Sequence, residues 1–310
     1  MDSFFCGQKF IVDFLRNQLD DQKRLIQSLL FYGPSHLGKF YLALNFCQAL
    51  ICEKKSLPPC GHCSYCHSFS NQNHPDLAVF NKEKGIEASR AIINFLSFKP
   101  QVANLKMVII EGFDQFSEEA QNALLKILEE PPFQSLIILI AEEPEKILLT
   151  IRSRILPLRF RPVSQSELSQ WLIKEKKVEP ALAEKLALIS RGRPGLALEL
   201  LKFPEKLKER EQAYQLFFKL MQTDFFSRSK IIKEITDDKE GKNLNFYLHL
   251  WLEAAEDDLI KTVHQELPPE VLAKKSRFFK NLLKYHRLID TTNINRPLIL
   301  EKLFLEYEPN

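Results

Sequence analysis

Along the first half of the chain, short fully apolar runs alternate with longer stretches of helical spacing. Leu29 to Tyr32, Leu77 to Phe80, Met107 to Ile110 and Leu136 to Ala141 have the length and composition of strands, the last two buried on both faces. Phe10, Phe14, Leu25 and Leu29 predict one or two helices leading into the first strand, and Tyr41 to Ile51, apolar nearly all round, predicts a buried helix beside a sheet. Glu87 to Phe95 is expected to be helical, ended by Lys99-Pro100. Ala120, Ala123, Leu124, Ile127 and Leu128 follow the i, i+3, i+4, i+7, i+8 spacing behind a Ser117 cap, with Glu118 and Glu119 in the first turn and Pro131-Pro132 as the stop. Strands separated by helices predict an α/β fold with a parallel, helix-covered sheet.

After Arg161-Pro162 the pattern changes. Ser164-x-x-Glu167 is a capping box ahead of Leu168, Trp171 and Leu172, Gly192-Arg193-Pro194-Gly195 reads as a turn, and Asn243 to Ile260 and Arg277 to Ile289 are long helical stretches. The expected division is an α/β domain over 1–162, a small helical domain over 163–205 and an all-α domain over 206–310.

Composition narrows the function classes. Charged residues at 27% and hydrophobic residues at 45% describe an ordinary globular chain, and a net charge of +3 does not by itself argue for nucleic acid. The basic stretches Lys202 to Arg210 and Ala273 to Arg287 read as solvated helix faces. No run approaches about 18 apolar residues, and the N-terminal segment lacks the order of a signal peptide, so a cytoplasmic protein with no membrane partner is expected.

Two stretches carry chemistry. Gly33, Gly38 and Lys39 satisfy GxxxxGK between a strand and a helix, the loop whose amides wrap phosphate and whose lysine neutralises it. The next residue must be Ser or Thr to ligate Mg²⁺, and Phe40 stands there. A chance glycine turn is the bland alternative, disfavoured by the flanking strand and helix. Cys52, Cys60, Cys63 and Cys66 supply two adjoining CxxC knuckles and a fourth thiolate. In a reducing compartment this set predicts a closed structural zinc site, with no position left for an activated water. An iron–sulfur cluster is the rival, but Ser70 stands where its next cysteine is expected. His62, His67 and His74 are spare ligands nearby that read as surface or turn residues.

Taken together these features resemble the bacterial clamp-loader branch of the AAA+ ATPases. The residues that carry the resemblance are Gly7-Gln8, the GPxxxGK loop, the cysteine insert closing on Asn73-His74-Pro75-Asp76-Leu77, NALLKILEEPP from Asn122 to Pro132, and Ser153-Arg154. The resemblance implies an AAA+ P-loop domain, a helical lid and an all-α collar that joins subunits into a ring. Its implied partners are ATPase subunits of the τ/γ type, a δ subunit, the sliding clamp and primed DNA. In ATPase members the third strand ends in Asp-Glu, for Mg²⁺ and for the attacking water; Glu111 and Gly112 occupy those positions. The polar sensor falls at Glu142 or Glu143, and the lid arginine near Gly195. The implication is that this chain does not hydrolyse ATP, and that Gly33, Gly38 and Lys39 hold nucleotide weakly or not at all. Ser153-Arg154 is intact, although Ile155 replaces the usual cysteine. This implies that Arg154, with Ser153, is an arginine finger acting in trans on a neighbour's γ-phosphate, worth about 10³ to 10⁵ in rate. Arg152 and Arg159 read as ordinary surface arginines.

Two other classes compete. An active ATPase of the τ/γ type would need Glu111 or Asp114 to carry Mg²⁺ and another acid to activate water. A zinc-dependent nucleic-acid-binding protein would need a basic face around Cys60 to Cys66, where only His62 and His67 are found.

Overall fold

The computed structural model of the chain describes residues 4–20, 25–70, 74–81, 84–132, 134–236, 242–265, 268–291 and 296–305. Asn73 lies outside them. The chain divides into two compact units, Met1–Leu201 and Lys202–Asn310. Among the described residues no helix is long and apolar enough to cross a membrane.

The first unit runs α1 (Lys9–Asp20), β1 (Ser28–Tyr32), α2 (Lys39–Ile51), α3 (Ser64–Ser70), β2 (Leu77–Phe80), α4 (Ile86–Ser97), β3 (Lys106–Glu111), α5 (Glu118–Glu129), β4 (Ser135–Ala141), α6 (Leu149–Arg152), β5 (Leu156–Arg159), α7 (Gln165–Lys176), α8 (Pro180–Ile189) and α9 (Pro194–Lys202). The five strands form one parallel sheet in the order β2-β3-β4-β1-β5. Successive strand residues point to opposite faces, so one sheet feeds two cores. Phe31, Met107, Ile109, Leu136 and Ile138 pack with α1 and α2 residues such as Leu15, Leu42 and Phe46. Leu30, Val108, Ile110, Ile137 and Leu139 pack with Ile92, Leu124 and Ile151 on the other side. This double burial is why β3 and β4 are uninterrupted apolar runs.

β5 has no counterpart in the apolar pattern. It is four residues long and contains Pro157, a combination that argues against a strand unless the strand lies at an edge. It does lie there, paired on one side with β1 and continued by the Phe160 N–H donating to Tyr32 O at 2.8 Å.

The caps follow the sequence. Ser117 accepts the Ala120 N–H, and Ser164 accepts the Glu167 N–H at 3.2 Å.

Asp76 is a buried anchor at the start of β2. Its carboxylate accepts the N–H groups of Gln101, Val102 and Ala103 at 2.7 to 2.8 Å and pairs with Lys106 Nζ at 3.0 Å, tying the α4–β3 connection to the sheet. Burial alone would push its pKa up, but those three amides and Lys106 outweigh it and hold it below the ordinary carboxylate value. A depressed folded pKa contributes stability that is fully present above the unfolded value of about 3.9 and is lost as pH falls through the folded one. Asp76→Asn strands the Lys106 ammonium in the interior, and a loss of about 3 to 5 kcal/mol is expected in urea unfolding at neutral pH, with the difference from wild type shrinking in acid. Equal stability of the two proteins at pH 7 would contradict this.

The second unit comprises α10 (Pro204–Gln222), α11 (Phe225–Thr236), α12 (Lys242–His264), α13 (Pro269–Thr291) and α14 (Arg296–Leu305). Phe217, Leu248, Trp251, Phe278, Leu282 and Phe304 form its core. Two polar side chains inside it are held by backbone carbonyls: Trp251 Nε1 donates to Ala213 O, and Arg228 donates to Leu220 O and Phe304 O.

Candidate phosphate cleft, cysteine cluster and Arg154

Cys52 caps the end of α2, Cys60 and Cys63 lie in the loop beyond it, and Cys66 is in α3. Their four sulfurs all lie within 4.8 Å of one another, and Cys60 Sγ stands 3.8 Å from Cys66 Sγ. A zinc tetrahedron with bonds of about 2.3 Å has edges of about 3.8 Å. The amides of Cys60 and Cys66 donate to Cys52 Sγ and Cys63 Sγ, each at 3.4 Å. Burial pushes Cys66 up to about 12, whereas the Glu53 amide holds Cys63 low; on Cys52 burial acts upward but is outweighed by the amides of Cys60 and Lys54. Four sulfurs this close can all be thiolates only with a cation between them. Donor type, number and spacing fit a metal such as zinc. No histidine joins the group among the described residues: His62 and His67 are exposed, and His74 Nδ1 accepts the Asp76 N–H at 3.2 Å.

The loop of residues 33–38 follows β1 at the carboxyl edge of the sheet, where open α/β sheets bind ligands. Gly33 N–H donates to Ala141 O at 3.3 Å. Gly38 opens α2 without a side-chain cap, so first-turn N–H groups stay available for an anion. Lys39 is folded back: the residue is buried, and its ammonium donates to Gly33 O at 2.5 Å and Pro34 O at 2.6 Å. Burial pulls its pKa below that of a free lysine, only partly offset by Glu142, Asp114 and Glu111. Phe40 contributes a ring where a metal-binding hydroxyl would be needed.

At the end of β3, Gly112 is left-handed with φ 66°, and a Cβ there would stand 2.5 Å from Lys84 Nζ. Lys84 donates to the Glu111 carbonyl, so an ammonium fills the place of the water-activating carboxylate. Burial lowers its pKa, against the pull of Glu111 and Asp114. Nothing in the sequence singled this lysine out, because it comes from the connection before α4. Asp114 is buried, and its Oδ2 accepts the amides of Glu142 at 3.2 Å and Glu143 at 3.0 Å, so one oxygen ties down the end of β4. Its Oδ1 is buried with no described partner. Gly195 donates its N–H to His36 O at 2.8 Å, and a Cβ there would lie 2.8 Å from that oxygen. A side chain at the position of the lid arginine would strike the loop. Gly38, Lys39, Phe40, Lys84, Gly112 and Gly195 line a cleft of about 580 Å³ together with Glu142.

Ser153 caps α6, and its Oγ donates to Thr150 O at 3.1 Å. The Arg154 side chain is 41% exposed, donates from Nη1 to Thr150 O at 2.7 Å and to Ser153 Oγ at 3.2 Å, and pairs through Nε with Glu129. It does not line the cleft around Lys39. Glu129 belongs to the NALLKILEEPP string, but only folding brings it to Arg154. Arg152 is not an ordinary surface arginine: it is half-buried, and its Nε has no described partner. Arg159 is exposed as expected.

A parallel sheet in this order, with a phosphate-type loop after β1 and three helices following β5, gives the α/β fold of the AAA+ type. The profile of the family described as "DNA polymerase III, delta subunit" matches residues 7–164, just over half of the chain, and the chain belongs to that family. Relatives include the DNA polymerase III subunit delta' of Pseudomonas aeruginosa, 31% identical over 193 residues, which covers 60% of the chain and 59% of that protein. The delta' subunit of Bacillus subtilis is 29% identical over 274 residues, covering 84% and 82%. The tau subunit of Bacillus subtilis is 33% identical over 203 residues, covering 63% of the chain and 36% of that protein. A solved structure of a DNA polymerase III gamma subunit-related protein from Thermotoga maritima shares the fold, with a TM-score of 0.54 at 18% identity over 94% of the chain and 98% of its own.

Proposed function

We propose that the chain is a non-hydrolysing, cytoplasmic clamp-loader subunit that completes a ring with τ/γ-type ATPase subunits and a δ subunit. It offers Arg154 in trans to the neighbouring ATPase and helps load the sliding clamp onto primed DNA. The P-loop module would extend to residue 162, the lid over 163–205 and the collar over 206–310, with zinc on Cys52, Cys60, Cys63 and Cys66 as a structural staple. The observation that carries the reading is the cleft itself. It keeps the loop of Gly33, Gly38 and Lys39, yet Phe40 lacks the hydroxyl, Gly112 lacks the carboxylate and Lys84 fills the gap. Loss of a general base alone costs about 10²- to 10⁴-fold. The exposed guanidinium of Arg154, outside this cleft, supports action on another subunit's nucleotide.

The isolated chain is therefore expected to release phosphate from ATP at the buffer rate, with Lys39→Ala making no difference. Steady-state turnover abolished by Lys39→Ala would instead identify an active ATPase of the τ/γ type. Salt-sensitive DNA binding by the lone chain that depends on the cysteine insert would favour a zinc-dependent nucleic-acid-binding protein.

A further inference from the structure

Of the four clustered cysteines, Cys52, Cys63 and Cys66 are buried, whereas Cys60 is only half-buried. Cys60 Sγ stands 3.8 Å from the sulfur of Cys66, which has no exposed surface. A sulfur that solvent reaches is thus in contact with one that solvent does not reach. A bound metal holds every ligand as thiolate, the form that attacks a peroxide, so access rather than protonation decides which sulfur is oxidised first. The other two cysteines do not compete: Cys6 and Cys47 are buried thiols, and burial pushes both up, Cys6 to about 12.

We infer that the cysteine cluster is a peroxide-sensitive switch in which Cys60 is the sulfur attacked and Cys66 the sulfur that resolves it. This rests on the zinc reading and not on the ring. The Cys60 thiolate forms an S–O bond as the O–O bond of the peroxide breaks, and the hydroxide that leaves is protonated by solvent. The Cys66 thiolate then attacks Cys60 Sγ; the S–S bond forms, the S–O bond breaks, and a second hydroxide leaves to solvent. Two electrons pass from the two sulfurs to the peroxide, and zinc, left with Cys52 and Cys63 alone, is lost to water. Because Cys66 is shielded until Cys60 has reacted, the pair closes instead of climbing to sulfinic acid.

The consequence reaches the sheet. Leu57 and Phe69 flank the knuckles inside the core shared with α2. Phe69 lies on α3 with Cys66, and its ring centroid is 5.7 Å from that of His74, which accepts the N–H of Asp76, the anchor of β2. Oxidation therefore loosens the first unit through the same contacts that the metal holds in place.

The test treats the zinc-loaded full chain with hydrogen peroxide, follows zinc release with a chromogenic chelator and maps the thiols by peptide mass spectrometry. One zinc is expected to leave per chain with the loss of two thiols; the disulfide joins Cys60 to Cys66, the thermal midpoint falls, and dithiothreitol with added zinc restores it. Cys60→His keeps a zinc ligand without an oxidisable sulfur and is expected to slow release about tenfold or more. The mapped disulfide comes from the unmutated chain and decides the matter even if the histidine variant binds no zinc. Zinc and thiols retained under peroxide, a first disulfide between any other pair, Cys60 driven to sulfonic acid without a disulfide, or zinc-loaded Cys60→His releasing metal at the wild-type rate each overturn the switch. A chain purified fully reduced and without zinc overturns the zinc reading itself.

Discussion

Arg154→Ala is expected to leave the subunit assembled with its ATPase neighbour and to slow turnover at the site it faces by about 10³-fold or more. The guanidinium rests half-exposed on Glu129, a carboxylate whose planar pair of oxygens resembles the phosphate edge it would meet across an interface. Exchanging one for the other needs no rebuilding of α6, because Ser153 and the Thr150 carbonyl hold the arginine from its own side. Arg154→Lys recovers little, since an ammonium is a point charge without the fork. Glu129→Gln removes only the resting partner and leaves turnover intact. Single-turnover hydrolysis in a complex whose other sites are disabled, with gel filtration to verify assembly, measures this; an unchanged rate for Arg154→Ala would make the residue part of an inert surface.

Metal removal has the second large effect. One zinc per chain is expected by elemental analysis, and chelation or Cys63→Ser is expected to destabilise the first unit by about 3 kcal/mol or more. The insert is not an appendage: Leu57 and Phe69, on either side of the knuckles, are buried in the same core as α2 and the sheet. Burying each such side chain contributes about 1.5 to 3 kcal/mol, and both depend on the turn that the four sulfurs close. Thermal unfolding with and without chelator reads the effect. A reduced, metal-free chain of equal stability would show that the cysteines serve only as small apolar residues.

Much of this was legible before any coordinates. The double-sided strands, the Ser117 and Ser164 caps and the helical last third followed from periodicity and capping chemistry, since these are local. The cysteine tetrad was legible for the same reason: its ligands lie within 15 residues and the knuckle geometry is set by short turns. β5 was not, because a four-residue edge strand with a proline is stabilised by β1 rather than by its own pattern. Nor was the role of Asp114, whose amide partners follow the next strand.

By itself the sequence determined that Phe40 follows the GxxxxGK loop and that glycine stands at position 112, where the family resemblance implies a carboxylate. Only the tertiary structure decided what occupies the vacated space and where the cations point. Lys84 beside Gly112 and Glu129 under Arg154 each join segments remote in the chain, and Lys39 turns back onto its own loop. Long, flexible charged side chains carry no periodic signal, and their partners are chosen by the packing of the elements that bear them.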